Sequence, residues 1–363
     1  MNTKKGSSEV IDLFLELVAI NSPSGEEETI RDWILEYLHS KDVRTRVDAR
    51  GNLIAYINET EGIPATLFSA HVDTVPNAVD VKVVRENGVI KTDGTTALGA
   101  DDKSAVAAML IAIDTLKETG KPIVYLFSVS EETGLDGVKD LDTSLLPPVS
   151  QAYILDAQQA LGRIMTFSPS HYKATVTFTG VASHAGFAPE KGVNAISLAA
   201  RAIDQMKLLR IDETTTANVG TIHGGRATNI VAPECTVTLE VRAESDEKCL
   251  AHLTHMEMCC IKAVGALGGS YTMDRHFIYP AYHLDEHSIA LKKFKAVCEQ
   301  MSLPFEGVPT GGGSDTNILR KMGYDAVTLA NGYYNAHSVT EEIEEASLDT
   351  MVTLIPALVS QEV

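Results

Sequence analysis

Positive charge is what this sequence has too little of: 30 lysines and arginines stand against 49 aspartates and glutamates, a net charge of −19. Nucleic acid and anionic membrane are therefore not expected partners, since both are recognised through a cationic surface. Cysteine is also scarce. The five cysteines (Cys235, Cys249, Cys259, Cys260 and Cys298) are odd in number and contain no CxxC pair. Neither a disulfide framework nor a thiolate zinc site is expected, and the thiols read as buried and reduced. No apolar run reaches membrane-spanning length. The opening stretch MNTKKGSSEVIDLFLELVAI is broken by Asp12 and Glu16, so it reads as an amphipathic helix rather than a signal-peptide core, and a cytoplasmic address is expected. Internal repeats and low-complexity segments are missing too. Core-forming material is plentiful: 44% of residues are hydrophobic and 22% charged. That composition belongs to a globular protein, and the length favours two domains.

Two textures alternate along the chain. Residues 1–171 read α/β. The pattern Ser24-Gly-Glu-Glu27 resembles a capping box before a helix with Ile30, Trp33, Ile34, Tyr37 and Leu38 on one face. Near-continuous apolar strands follow at NLIAYI, ATLFSAHV, PIVYLFSV and AYILDA, some separated by helical text such as SAVAAMLIAIDTL. This predicts a mostly parallel sheet covered by helices. Residues 172–277 differ: YKATVTFTGV alternates with period two, and the order becomes β-α-β-β-α-β, as in a ferredoxin-like α+β unit. The α/β texture returns over 278–363. The expected architecture is a discontinuous α/β domain (1–171 and 278–363) with an inserted ferredoxin-like domain (172–277).

In open α/β sheets ligands sit beyond the carboxyl ends of the strands. His71 and Asp73 follow one strand, Glu131 and Glu132 the next, then Asp156, and His337 lies in a loop after the last; Asp101 and Asp102 open a helix. Any one of these could be an ordinary cap or loop residue. Together they fall at one predicted edge and offer only nitrogen and oxygen donors, which suit zinc, manganese or cobalt. His71, Asp101 and Asp156 can hold one ion, and Glu132 and His337 a second, with Asp101 shared. Three carboxylates against two divalent cations leave a net charge near +1, which a bridging hydroxide, the nucleophile, would neutralise. Asp73 is placed to accept the other imidazole N–H of His71. Glu131 points differently from Glu132 and is free to carry a proton.

The segments SAHVDTVP, GADDKSAVAAML, SEETG, ILDA, SHAG, GGGSD and NAHS occur in the order found in co-catalytic zinc aminoacylases and exopeptidases. Across nearly its whole length the sequence resembles that family, and its peptidase T branch in particular. The resemblance implies metal ligands at His71, Asp101, Glu132, Asp156 and His337, with Asp101 bridging and joined to the next residue by a cis peptide bond. It implies support of His71 by Asp73 and a general base at Glu131. On the inserted domain it implies that His184 polarises the substrate carbonyl, often from the partner subunit, and that Asn229 and Arg242 bind substrate. The backbone at Gly312 and Gly313 is implied to do the same; by itself TGGGSD could be an anion-binding helix start, but it lacks the Lys-Ser/Thr of a phosphate-binding loop.

The expected activity is hydrolysis of short peptides by a dinuclear zinc aminopeptidase or tripeptidase, with two zinc ions per subunit (manganese or cobalt as substitutes). The inserted domain would serve as lid and homodimer interface. An N-acyl amino acid deacylase or a carboxypeptidase would share the metal core and differ in whether the substrate's free amine or free carboxylate is held. A catalytically silent binding protein would be expected to have lost Glu131 or a ligand, and none is missing.

Overall fold

The computed structural model describes residues 8–362. Of the opening stretch read as an amphipathic helix, the first seven residues lie outside the described residues; the rest forms the helix Glu9–Val18, which buries Val10, Ile11, Phe14, Leu17 and Val18. That is the spacing of a helix with one face in the core.

The chain forms two compact units. One runs to Phe167, returns at His283–Thr310 and continues from Ser314; the other comprises Ser168–Tyr282 and Gly311–Gly313. The first unit is built on a nine-stranded sheet. At its centre Ile123–Ser128, Ala65–His71, Val149–Ala157 and Ala326–Ala330 lie side by side and parallel. Leu53–Ile57 and Arg44–Val47 extend it antiparallel on the Ile123–Ser128 side. The strands Ala65–His71, Ile123–Ser128 and Ala326–Ala330 are buried along their whole length, so their apolar residues run without alternation. Helices cover the sheet, among them Ala100–Thr119, which packs against Glu9–Val18 and Glu345–Ser360.

A smaller four-stranded sheet, Tyr333–Tyr334, Glu342–Glu344, Val89–Thr92 and Val83–Glu86, was not foreseen. Its first two strands form a hairpin whose loop carries His337.

The second unit is an antiparallel sheet ordered Leu209–Arg210, Thr216–Gly224, Glu234–Ala243, Ser170–Thr179, Ser270–Tyr279. Helices Ala195–Gln205 and Asp246–Leu267 pack on it and on each other. Along Ser170–Thr179, Ala174, Val176 and Phe178 are buried while Lys173 and Thr179 are exposed, which is the period-two pattern of a half-covered sheet. The five cysteines are all free and buried. No helix among the described residues is long and apolar enough to cross a membrane.

The capping-box reading of Ser24–Glu27 is corrected. The helix spans Glu28–Ser40 with Glu27 at its N-cap and no side-chain cap. Ser24 instead donates to Asp73 Oδ2 (2.6 Å), and Glu27 Oε1 accepts from the backbone amide and hydroxyl of Ser130 (both 3.0 Å). Long-range partners outcompete the local cap.

Candidate metal centre

Because the four central strands are parallel, their carboxyl ends share one edge, and the chemistry gathers there. His71 ends its strand and Asp156 is the penultimate residue of Val149–Ala157. Glu131 and Glu132 follow Ile123–Ser128 by a short turn. Asp101 sits at the start of Ala100–Thr119, where Asp101 and Asp102 leave helical geometry and are joined by a cis peptide bond. His337 comes from the hairpin loop with a positive φ of 65°.

Asp101 stands between two histidines. Its Oδ1 lies 3.1 Å from His71 Nε2 and its Oδ2 3.3 Å from His337 Nε2. His71 Nε2 also lies 3.7 Å from Asp156 Oδ1, and His337 Nε2 lies 2.8 Å from Glu132 Oε1. Two donor groups thus share Asp101: His71–Asp101–Asp156, and Asp101–Glu132–His337. A third grouping, His71–Glu131–Glu132, brings Glu131 to the same place.

Asp73 lies beside His71 through both its main chain and its carboxylate. His71 Nδ1 lies 2.8 Å from the backbone oxygen of Asp73, and the Asp73 carboxylate is farther, at 3.5 Å. A carbonyl only accepts, so Nδ1 carries a proton. Nε2 faces two carboxylates, a contact that requires a proton or a cation between them; burial opposes a charged ring, yet Asp101 and Asp73 raise it well above the usual imidazole range. The Asp73 carboxylate has another task. It accepts from the backbone amides of Glu131 (2.9 Å) and Glu132 (3.1 Å), fixing both glutamates relative to His71.

The electrostatics agree with a cation site. Burial, with Asp156 and Glu132 close by, pushes the Glu131 carboxyl well up, and burial does the same to Asp156. Burial also opposes a charged Asp101, yet His337 and His71 hold it below the usual carboxylate range. Asp101 and Glu132 raise His337 to about 10. Crowded carboxylates and imidazoles without thiolates are the donor set of a hard or borderline divalent ion, so these residues fit the two metals expected.

Several supporting residues escaped sequence reasoning. Asp102 Oδ1 accepts from Asn331 Nδ2 (2.8 Å), which also donates to Leu155 O (2.8 Å). Ser128 Oγ donates to the buried Asp315 (2.5 Å), whose carboxyl burial raises to about 6. Glu341 accepts three amides around the Asp101 turn. Asp102, beside Asp101 in GADDK, and Asp315, the last residue of GGGSD, carried a sequence signal; Asn331, Ser128 and Glu341 carried none.

The remaining predicted residues lie in the second unit. His184 is exposed, and its Nδ1 accepts from the amides of Gly186 (3.1 Å) and Phe187 (3.2 Å). A neutral ring held this way carries its proton on Nε2. Asn229 is beside it, its carbonyl accepting from Ala185 N (2.9 Å). Arg242 is elsewhere on the sheet, reaching Gly311 O (3.1 Å), Tyr279 Oη (3.4 Å) and Glu240 (3.4 Å). Gly312 O accepts from Ser168 Oγ (2.8 Å). A Cβ on Gly313 would come within 2.4 Å of the Tyr279 ring, so only glycine fits under that ring.

A mostly parallel sheet with two groups of candidate metal ligands at its carboxyl edge, interrupted by an antiparallel α+β unit, is the arrangement of a co-catalytic metallopeptidase, and the chain belongs to the M20/M28 class of these enzymes. Residues 170–262 match the peptidase dimerisation domain and residues 52–197 match peptidase family M28. The chain is 32% identical to a tripeptidase from Staphylococcus aureus, over 97% of both chains with a TM-score of 0.89. To aminopeptidase PepT from Bacillus cereus it is also 32% identical over 97% of both chains, with a TM-score of 0.84. The uncharacterised protein YqjE of Bacillus subtilis is 35% identical, covering 97% of this chain and 98% of its own. A dinuclear metal-binding M20 peptidase of B. subtilis, 15% identical over 96% of both chains, shares the fold with a TM-score of 0.74.

Proposed function

We propose that the protein is a dinuclear zinc aminopeptidase of the tripeptidase kind, acting on short peptides. The observation that carries this reading is the Asp101 carboxylate, with one oxygen toward His71 and the other toward His337, in a chain similar to a tripeptidase and to aminopeptidase PepT. His71, Asp101 and Asp156 would hold one zinc and Asp101, Glu132 and His337 the other, with manganese or cobalt as substitutes. When bound, the ions supply Lewis acidity toward the scissile carbonyl and make water a nucleophile at neutral pH.

The chain's own groups do the rest. Glu131 takes a proton from the attacking water and returns it to the departing amine; it is buried beside His71 and Glu132, within reach of the proposed centre. Asp73 holds Glu131 in place through its amide. His184, with its proton on Nε2, donates to the developing oxyanion. Asn229, Arg242 and the backbone at Gly312 and Gly313 bind substrate. The inserted unit acts as lid and pairs two subunits in a homodimer, in keeping with its match to the peptidase dimerisation domain.

The test is hydrolysis of an Ala-rich tripeptide series by the zinc-loaded protein, read by mass spectrometry, with Glu131→Gln as control. Cleavage only of peptides with a free amino terminus is expected. Cleavage that survives amino-terminal acetylation and stops on carboxyl-terminal amidation would replace this reading with a carboxypeptidase or deacylase. Glu131→Gln should keep its metals and lose about 10²–10⁴-fold in turnover.

A further inference from the structure

Helix Ala100–Thr119 begins without a local cap. Its N-cap Gly99 has φ 74° and ψ 26° and no side chain to offer. A Cβ there would lie 3.2 Å from Thr74 Cγ2, so space and backbone both disfavour the usual Ser, Asp or Asn. The exposed amide donors of a helix start must still be satisfied. Glu341, distant in sequence and 1% exposed, does this. Its Oε2 accepts from Leu98 N (2.9 Å) and Gly99 N (3.0 Å), and its Oε1 from Asp101 N (3.0 Å).

Glu341 also closes the loop that carries His337. Within that loop Ser338 Oγ donates to Asn335 O (2.8 Å), Asn335 Nδ2 to Thr340 O (3.2 Å) and Glu341 N to Ser338 O (3.1 Å). The loop is therefore a small hydrogen-bonded body with Glu341 at its end. This matters because the His337 side chain is 50% exposed, whereas that of His71 is 1% exposed and that of Asp156 9%. Packing fixes the buried ligands; it does not fix His337. Apart from its loop, the backbone of His337 is held by Asn77 Nδ2, at 3.3 Å.

We infer that Glu341 is the positioning residue of the second metal position: one buried carboxylate locks the turn bearing Asp101 to the loop bearing His337. This role rests on the dinuclear centre proposed above. Three backbone donors converge on the carboxylate, and glutamine cannot replace it, because its amide nitrogen would oppose an N–H.

The experiment is Zn²⁺ titration of the chelator-stripped full-length protein against a competing chromophoric chelator, comparing wild type with Glu341→Gln, Glu341→Asp, His337→Ala and Asp156→Asn. Glu341→Gln should weaken the second ion by about 10- to 100-fold, as loss of outer hydrogen-bond partners does, and weaken the first ion less, because Asp101 is shared but His71 and Asp156 are held by packing. Its pattern should follow His337→Ala and not Asp156→Asn. Glu341→Asp keeps the charge with a shorter reach and should fall between; if Glu341→Gln does not fold, Glu341→Asp decides by the same pattern. Two ions held by the Glu341 variants with wild-type affinity, or both weakened equally, would overturn the role of Glu341 while leaving the dinuclear reading standing. A wild type that binds fewer than two ions would overturn both.

Discussion

The carboxylate of Asp73 accepts from Ser24 Oγ and from the amides of Glu131 and Glu132, while its own carbonyl fixes the tautomer of His71. One residue with no exposed surface therefore sets a proposed ligand, the proposed base and a second ligand. Asp73→Ala leaves the His71 contact to the main chain intact and strips one buried and one half-buried amide of their acceptor. Each unsatisfied group costs about 1–3 kcal/mol. Misplaced outer partners of a metal site typically cost about 10- to 100-fold in activity. Both effects are expected together, in urea unfolding and in kcat/KM, with kcat carrying the loss because Glu131 is displaced. A variant with wild-type kcat would show that the Glu131 backbone is held by other contacts.

Elements explain which parts of this protein can be read in advance. The central strands are legible because burial on both faces leaves runs such as ATLFSA and PIVYLFS, and a parallel sheet places whatever follows them at one edge. That is why His71, Glu132, Asp156 and His337, with Asp101, were readable as a cluster before any coordinates. Ser24, Glu27 and Glu341 were not. Apart from the Gly25 amide on Glu27, their partners are far away in sequence, and such hydrogen bonds leave no periodic trace; Ser24 and Glu27 even mimic a helix cap. In the inserted unit the register places Arg242 opposite His171 across two strands, and His171 Nε2 lies 2.9 Å from Glu240 Oε2. His171 and Arg242 hold Glu240 down to about 2, and burial lowers His171. A depressed carboxylate adds stability above its unfolded pKa of about 4.3. That contribution is lost as the pH falls through the folded value. The lowered histidine acts in the same direction, disfavouring the folded state as the pH drops below about 6.5. Glu240→Gln should therefore flatten the acid limb of the unfolding midpoint between about pH 4.5 and 2; an unchanged limb would show that the pair contributes nothing there.

For the whole molecule, charge and assembly decide. Asp101, Asp102, Glu131 and Asp156 converge at one edge, Asp101, Asp102 and Glu131 among them buried, so cations that bind only the folded chain stabilise it, by about 4 kcal/mol at a thousandfold excess over Kd. Chelation should lower the melting temperature and zinc should restore it; a melting temperature indifferent to chelator would count against the metal centre. The proposed homodimer would use the edge of the strand Thr216–Gly224. Leu209–Arg210 covers its outer side only at Thr216 and Ala217. Beyond them Ile222 is 48% exposed, and Ile196 on the helix Ala195–Gln205 is 40% exposed, an apolar strip beside a free strand edge. Such an edge invites a second strand, and a two-fold axis there would continue the sheet through two copies of this unit. Ile222→Lys places a charge in that seam without touching a proposed ligand. The expected product is a monomer by light scattering that still binds two ions. If His184 serves the partner's site, as the family resemblance implies, this monomer hydrolyses no tripeptide, and activity returns when it is mixed with a subunit able to pair. A monomer with full activity would place His184 in its own subunit's site, and an unchanged dimer would move the interface to another face.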